Sequence, residues 1–389
     1  MGNAYVGAII ADIHAGAFDG SILLNELRNG FLKYLKSMKI LDFVIIAGDL
    51  FDTKVSLNSN HTKYIFSFIK ELMFVCSEKN AKLRIIKGTE SHDNQQLDAI
   101  NNIIDNSCDI KIINTVEKEY LFDDFKVLYL PEEYMKDMNE YYGEYFKESY
   151  NMIFGHGMVN EVVFVAKTQQ SEVTMQRAPI FKTEALMDIC NGPIFFGHIH
   201  KPQVIKNDMY YVGSYSRWCF GEEHPKGFMT VAYNTDGNYD VEFIENKLAR
   251  LFDTILVDYN SSFYKNDPNQ QLEYIIALVN ESNADKLRII FNIPEDYENP
   301  TLLVNLINDI FSKRTNVKVI INNNAKDMKA KKELEDNVKA LLSRYDFLFD
   351  KGIPQDEKIS RYIRIKYNKD IPIDRMRDIL YQKLSIDGK

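Results

Sequence analysis

The chain alternates short runs of β-branched and aromatic residues with stretches whose apolar residues recur every three or four positions, the pattern of an α/β layered domain. Strands are predicted over Tyr5–Ile10, Phe43–Ile46, Leu83–Ile86, Lys126–Tyr129, Met152–Phe154 and Ile194–Phe196. Between them, Leu23, Leu24, Leu27, Phe31, Tyr34 and Leu35 fall at helical spacing, as do Tyr64, Ile65, Phe68, Ile69 and Leu72. Such stripes face a core. A β-rich stretch from Met209 to Phe243, with Asp236-Gly237 as a hairpin turn, closes this region.

After about Glu245 the pattern restarts: strand Thr254–Val257, helix Gln270–Val279, strand Leu287–Ile290, helix Pro300–Phe311, strand Val317–Ile320. This βαβαβ unit holds no histidine and no glycine-rich phosphate loop, which marks it as accessory rather than catalytic. Asn322-Asn323-Asn324 and the charged run Lys326–Asp336 form a linker into helical patterns near 334–345 and 373–384. The expected division is a first domain over 1–246, a capping domain over 247–325 and a partner-binding segment over 326–389.

Composition narrows the class. At 389 residues, 45% apolar and 26% charged, this is a globular chain without an apolar run near the roughly 20 residues that cross a bilayer. Its first residues lack a basic region ahead of an apolar run, and Val6 stands where a myristoylation signal needs Ser or Thr; a cytoplasmic protein without membrane attachment is expected. Cys76, Cys108, Cys190 and Cys219 show no CxxC spacing, so neither a zinc knuckle nor a disulfide framework is expected. Lys plus Arg 47 against Asp plus Glu 56 gives −9, the wrong sign for gripping nucleic acid unaided. Bound cations can supply the missing positive charge.

The chemistry lies in the histidines. Of seven, five stand directly after predicted strands, beside Gly or Asp. Asp12-Ile13-His14 follows the first strand, Gly48-Asp49-Leu50-Phe51-Asp52 the second, and Gly88-Thr89-Glu90-Ser91-His92-Asp93 the third. Gly155-His156-Gly157 and Gly197-His198-Ile199-His200 follow later ones. Strand carboxyl ends of an α/β sheet share one rim, so these loops converge there. Carboxylates mixed with imidazoles, without thiolate, suit Mn²⁺, Fe or Zn. Six donors, Asp12, His14, Asp49, His156, His198 and His200, exceed one tetrahedral centre, so two divalent ions are expected, with Asp49 able to bridge them.

In this order the motifs resemble those of the calcineurin-like metallophosphoesterases, and more fully the SbcD-type nuclease subunits that process DNA double-strand breaks. Gly213-Ser214-Tyr215-Ser216-Arg217, Phe220, Glu222 and Lys226-Gly227-Phe228 resemble the segment that follows Gly-His-x-His in those nucleases. The resemblance covers Tyr5 to about Phe243 by motif. It implies a two-sheet sandwich flanked by helices, with Asp12, His14, Asp49 and His200 holding one ion and Asp49, His156 and His198 the other. His92 matches the catalytic histidine. Family members usually carry Gly-Asn-His in the third loop, the Asn ligating the second ion; here Ser91 precedes His92, so Ser91, Glu90, Asn94 or water completes that shell.

The resemblance further implies a Mn²⁺-dependent nuclease for DNA repair and recombination, with exonuclease action on duplex ends and endonuclease action on single strands. It also implies an assembly of two such chains with two SMC-like coiled-coil ATPase subunits of the SbcC type. A phosphatase or cyclic-nucleotide phosphodiesterase for small esters, and a non-catalytic scaffold, are the alternatives. Asp52 and Asp93 either orient ligand histidines or cap and pair elsewhere; Arg217 either contacts a phosphate or forms a structural pair. Trp218, Phe220 and the aromatic stretch Tyr134–Tyr150 read as packing. The tail, with Arg361, Arg364, Lys366, Arg375 and Arg377 among isoleucines, is either a solvated basic face or a docking surface.

Overall fold

In a computed structural model, the structure describes residues 4–54, 59–93, 96–105, 107–133, 138–162, 178–258, 268–294, 300–312, 314–323, 346–348, 350, 352–367 and 369–375. The expected helix near 334–345, Asn94, Arg377 and most of 373–384 lie outside the described residues.

The chain forms two compact units, one spanning Met1–Asp253 with Asn283–Asp285, the other Thr254–Ser282 with Lys286–Lys389. In the first unit, β1 (Ala4–Ile10), β2 (Phe43–Ala47), β3 (Lys82–Ile86) and β4 (Ile110–Ile113) run parallel. β13 (Gly227–Asn234) and β14 (Tyr239–Glu245) extend that sheet antiparallel beyond β1. A second sheet centres on three neighbouring parallel strands, β6 (Phe125–Leu130), β7 (Met152–His156) and β10 (Ile194–Gly197). Parallel β12 (Met209–Tyr211) and antiparallel β11 (Gln203–Ile205) and β5 (Glu117–Phe122) complete it. Short β8 (Met158–Val159) pairs with β9 (Ile180–Phe181).

The two-residue period of a strand builds the layers. Along β2, Val44 and Ile46 pack with Leu27, Phe31, Phe68 and Leu72 of the helical segments over 20–37 and 60–79. Phe43, Ile45 and Ala47 point the other way, into a core shared with Val127, Tyr129, Phe154 and Phe195 of the second sheet. The outer face of that sheet packs Leu128, Ile153 and Phe196 against Tyr142, Leu186 and Ile189. Helix, sheet, sheet and helix therefore stack as an α/β sandwich with mixed sheets, and each strand of the centre is buried on both faces. Tyr142 and Tyr150 are buried in this outer core, which accounts for their part of the aromatic stretch as packing.

The second unit has β15 (Phe252–Asp258) at its start, then a helix over Pro268–Glu281, β16 (Lys286–Ile293), a helix over Pro300–Phe311 and β17 (Val317–Asn323). The three strands form one sheet and share one core through Val257, Ile275, Ile289, Phe291 and Ile307. The division falls within β15, seven residues beyond the expected 246, with Phe252 and Asp253 counted in the first unit. A helix over Gln355–Tyr367 belongs to the same unit, and three of its basic residues are engaged: Arg361 with Glu357, Arg364 with Asp370, Lys366 with Glu273. Among the described residues no helix is long and apolar enough to cross a membrane.

Candidate metal centre

Strands β1, β2 and β3 are neighbours in one sheet, and β6, β7 and β10 in the other, each trio parallel. Their carboxyl ends therefore release six loops at one rim of the sandwich. Asp12 and His14 leave β1, Asp49 leaves β2, Thr89 and His92 follow β3, and Glu132 follows β6. His156 ends β7, and His198 and His200 follow β10.

The donors gather in three overlapping groups, Asp12–His14–His200, His14–Asp49–His92 and Asp49–His156–His198, within each of which one ligand atom per residue lies within 4.8 Å of the others. Asp49 and His14 each belong to two groups, so one continuous cluster unites all seven. Asp12, His14, Asp49 and His156 are fully buried and His198 is 1% exposed.

The backbone is bent to hold them. Asp12, His14, Asp49 and His198 have φ of 50°, 48°, 50° and 90°, in the left-handed region that side chains with a Cβ avoid. Among the described residues only Asn80 and Lys206 join them as non-glycine residues with positive φ. Each such residue costs on the order of 1 kcal/mol or more, and four of the six gather in this one polar cluster. Hydrogen bonds between loops hold the geometry: Asp12 N–H donates to Gly48 O at 3.1 Å and His14 N–H to Asp49 O at 3.0 Å. His198 N–H donates to both carboxylate oxygens of Asp12, at 2.9 and 3.1 Å.

Three histidines have their outward nitrogen engaged, so that the other faces the cluster. Nδ1 of His156 lies 2.9 Å from Ala47 O, that of His200 2.9 Å from Glu222, and that of His14 3.3 Å from Asp52. A proton on each Nδ1 leaves the Nε2 lone pair for a cation, the usual support of a metal-binding imidazole. Among the described residues, Nε2 of His200 is buried without a hydrogen-bond partner. An orphaned imidazole nitrogen aimed at Asp12 and His14 is what a cation-binding donor looks like, and the mixed carboxylate and imidazole set fits a divalent first-row metal. These residues therefore fit the expected pair of ions.

Charge is finely divided here. Burial alone raises Asp49, but the neighbouring His156, through its charge and hydrogen bond, together with His14 and His92 holds it well below the carboxylate range. Burial opposes a charge on His156, yet Asp49 raises it well above its ordinary value. Asp12, where burial dominates, is pushed up. Burial and the charge of Asp49 raise Asp93 to about 6.

Not every expectation falls in the cluster. Ser91 is exposed, and the hydroxyl among the donors belongs to Thr89. The reason is local: Glu90–Asp93 form one helical turn. With about 100° per residue, Thr89 and His92, three apart, share a face while Ser91 points away. Glu90 pairs with Lys87 at 3.0 Å. Asp52 approaches His14, whereas Asp93 ties two loops by accepting from Phe51 N–H at 3.1 Å and Gly88 N–H at 2.8 Å. Arg217 donates to the carbonyls of Glu222 at 2.9 Å and His224 at 2.7 Å, which makes it a buried clamp on its own loop rather than a phosphate contact or an ion pair.

Other residues enter that the motifs did not mark. Glu132, 1% exposed, has Oε2 3.4 Å from His198 Nδ1; its place directly after a strand was the available signal. Trp218 is a half-buried wall of the cluster, its ring centred 4.4 Å from that of His14 and 4.7 Å from that of His200. Glu222 accepts from His200, from Lys226 at 3.2 Å and from Trp218 N–H at 3.1 Å. His200 and Lys226 outweigh burial and hold it down to about 2.

No family model and no curated protein matches this sequence. One solved chain aligns over 62% of this chain and 100% of its own length, at 11% identity and a TM-score of 0.34, a likeness too slight to carry an argument.

Proposed function

We propose that this chain is a two-cation phosphodiesterase of the calcineurin-like type, acting on DNA as an SbcD-type nuclease. The observation that carries the reading is the cluster itself: seven acidic and imidazole side chains from five strand-end loops, in overlapping groups joined through Asp49 and His14. Asp12, His14 and His200 would hold one ion, Asp49, His156 and His198 the other, with Asp49 between them. Two such cations, Mn²⁺ in the proposal, supply positive charge for the phosphate oxygens and lower the pKa of the attacking water.

The protein's own groups do the rest. His92, stacked edge-on to His14 at 5.0 Å, delivers a proton to the oxygen that leaves as the P–O bond breaks and water adds to phosphorus. Asp52, Glu222 and Ala47 O keep the three histidines in the tautomer that presents Nε2 inward. Trp218 shields one flank from bulk water.

DNA as substrate rests on the ordered motifs and on the accessory unit, which a small-ester hydrolase would not need. The tail, on the same basis, docks a coiled-coil ATPase. The acidic body explains why such a chain leaves much of the backbone grip to a partner.

The test loads the full chain with Mn²⁺ and offers linear duplex, circular single strands and a chromogenic phosphodiester. Shortening of the duplex and opening of the circle are expected, with loss of both in His92→Ala. Turnover of the ester but never of DNA would move the assignment to small phosphate esters, and no turnover of any substrate would favour a scaffold.

A further inference from the structure

The resemblance gives the second ion Asp49, His156 and His198, and leaves Ser91, Glu90, Asn94 or water to complete its shell. Donors about 2.1 Å from a shared cation in a tetrahedral shell lie roughly 3.4 Å from one another. Thr89 Oγ1 meets that spacing against all three: 3.3 Å from Asp49 Oδ2, 3.4 Å from His156 Nε2 and 3.4 Å from His198 Nδ1. Asp49 Oδ2 and His156 Nε2 are themselves 3.2 Å apart. Thr89 is buried, at 7% exposure. Its backbone N–H donates to Asp49 Oδ1 at 2.6 Å, which fixes the main chain that carries the hydroxyl beside the donors.

We propose that Thr89 Oγ1 completes the shell of the second cation, giving it a carboxylate, two imidazoles and a hydroxyl. The inference deepens the two-cation reading and rests on it. A neutral hydroxyl adds a donor without adding charge. Oxygen and imidazole donors without a thiolate suit Mn²⁺ over softer metals.

Calorimetry of the full chain with Mn²⁺ tests this without any turnover. Wild type takes up two ions; Thr89→Val weakens the second by about 10- to 100-fold and leaves the first unchanged. Thr89→Ser, which keeps the hydroxyl, restores it. Direct ligation is read with Cd²⁺: Thr89→Cys places a thiol in the shell, and a sulfur-to-cadmium charge-transfer absorption appears. Saturation with two Cd²⁺ and no such band overturns ligation by Thr89, and a band in Ser91→Cys instead would return the role to Ser91. Unaltered second-ion affinity in Thr89→Val likewise overturns it. A wild-type chain that binds no cation refutes the two-cation reading itself, an outcome distinct from these.

Discussion

Replacing Glu222 by Gln tests how far the cluster depends on residues that never touch a cation. Glu222 is 5% exposed and accepts from His200 Nδ1 at 2.9 Å, so the substitution keeps the volume but removes the charge that favours the tautomer with Nε2 free. Loss of such an outer partner costs about 10- to 100-fold in metal affinity, or roughly 1.4 to 2.7 kcal/mol. A second effect must be separated. Lys226 is 1% exposed, and its ammonium, which burial already pushes down in pKa, has Glu222 at 3.2 Å as counter-charge. Stranding that ammonium destabilises the fold by up to about 3 to 5 kcal/mol. Glu222→Gln with Lys226→Met removes the stranded charge, so the double variant isolates the effect on His200. Mn²⁺ titration by calorimetry, run beside thermal melts, distinguishes the two: the first ion weakens in both variants, whereas the melting temperature falls more in the single one. A folded double variant that binds the first ion within twofold of wild type would refute the tautomer argument.

Three further outcomes follow from the geometry. At Gly48, where φ is +84°, an added Cβ would lie 2.1 Å from His156 Nδ1, so Gly48→Ala displaces that imidazole and abolishes the second ion's binding; two ions per chain by metal analysis would contradict this. Burial raises Glu26 from 4.5 to about 7, against opposing hydrogen bonds from Ser216 and Asn246. A carboxyl raised on folding contributes fully below the unfolded value and loses that contribution as pH climbs through the folded one. Stability should therefore fall by up to roughly 3 kcal/mol from pH 4.5 to 7, and Glu26→Gln should flatten the fall in urea melts; an unchanged slope would rule it out. Arg84, 2% exposed and bonded to Glu119 at 2.7 and 2.9 Å and to Asp109 at 3.0 Å, leaves the largely buried Glu119 without its guanidinium when replaced by Met, whereas Asp109 keeps Lys82 at 3.4 Å. The expected loss is about 3 to 5 kcal/mol in urea denaturation, with Mn²⁺ binding retained by the folded fraction.

Much of this molecule is written in one dimension. A strand buried on both faces, such as Phe43–Ala47, must be a short continuous apolar run, and polar residues directly after several such runs must emerge near one rim if the strands are parallel. Asp12, His14, Asp49, His92, His156, His198 and His200 were therefore legible as a candidate set before any coordinates. So was the βαβαβ order of the second unit, where helical and strand periods alternate plainly.

Three-dimensional packing decided what no local pattern carries. Which oxygen lies nearest the second group of donors depends on whether the third loop turns as a helix, and that single turn exchanges Ser91 for Thr89. Glu132 comes within 3.4 Å of His198 only because β6, β7 and β10 are neighbours in the second sheet, a pairing between segments whose sequences do not name each other. The left-handed backbone at Asp12, His14, Asp49 and His198 is likewise invisible locally, since each residue alone would avoid it. Hydrogen bonds between loops distant in sequence impose it, and those exist only once both sheets are packed together.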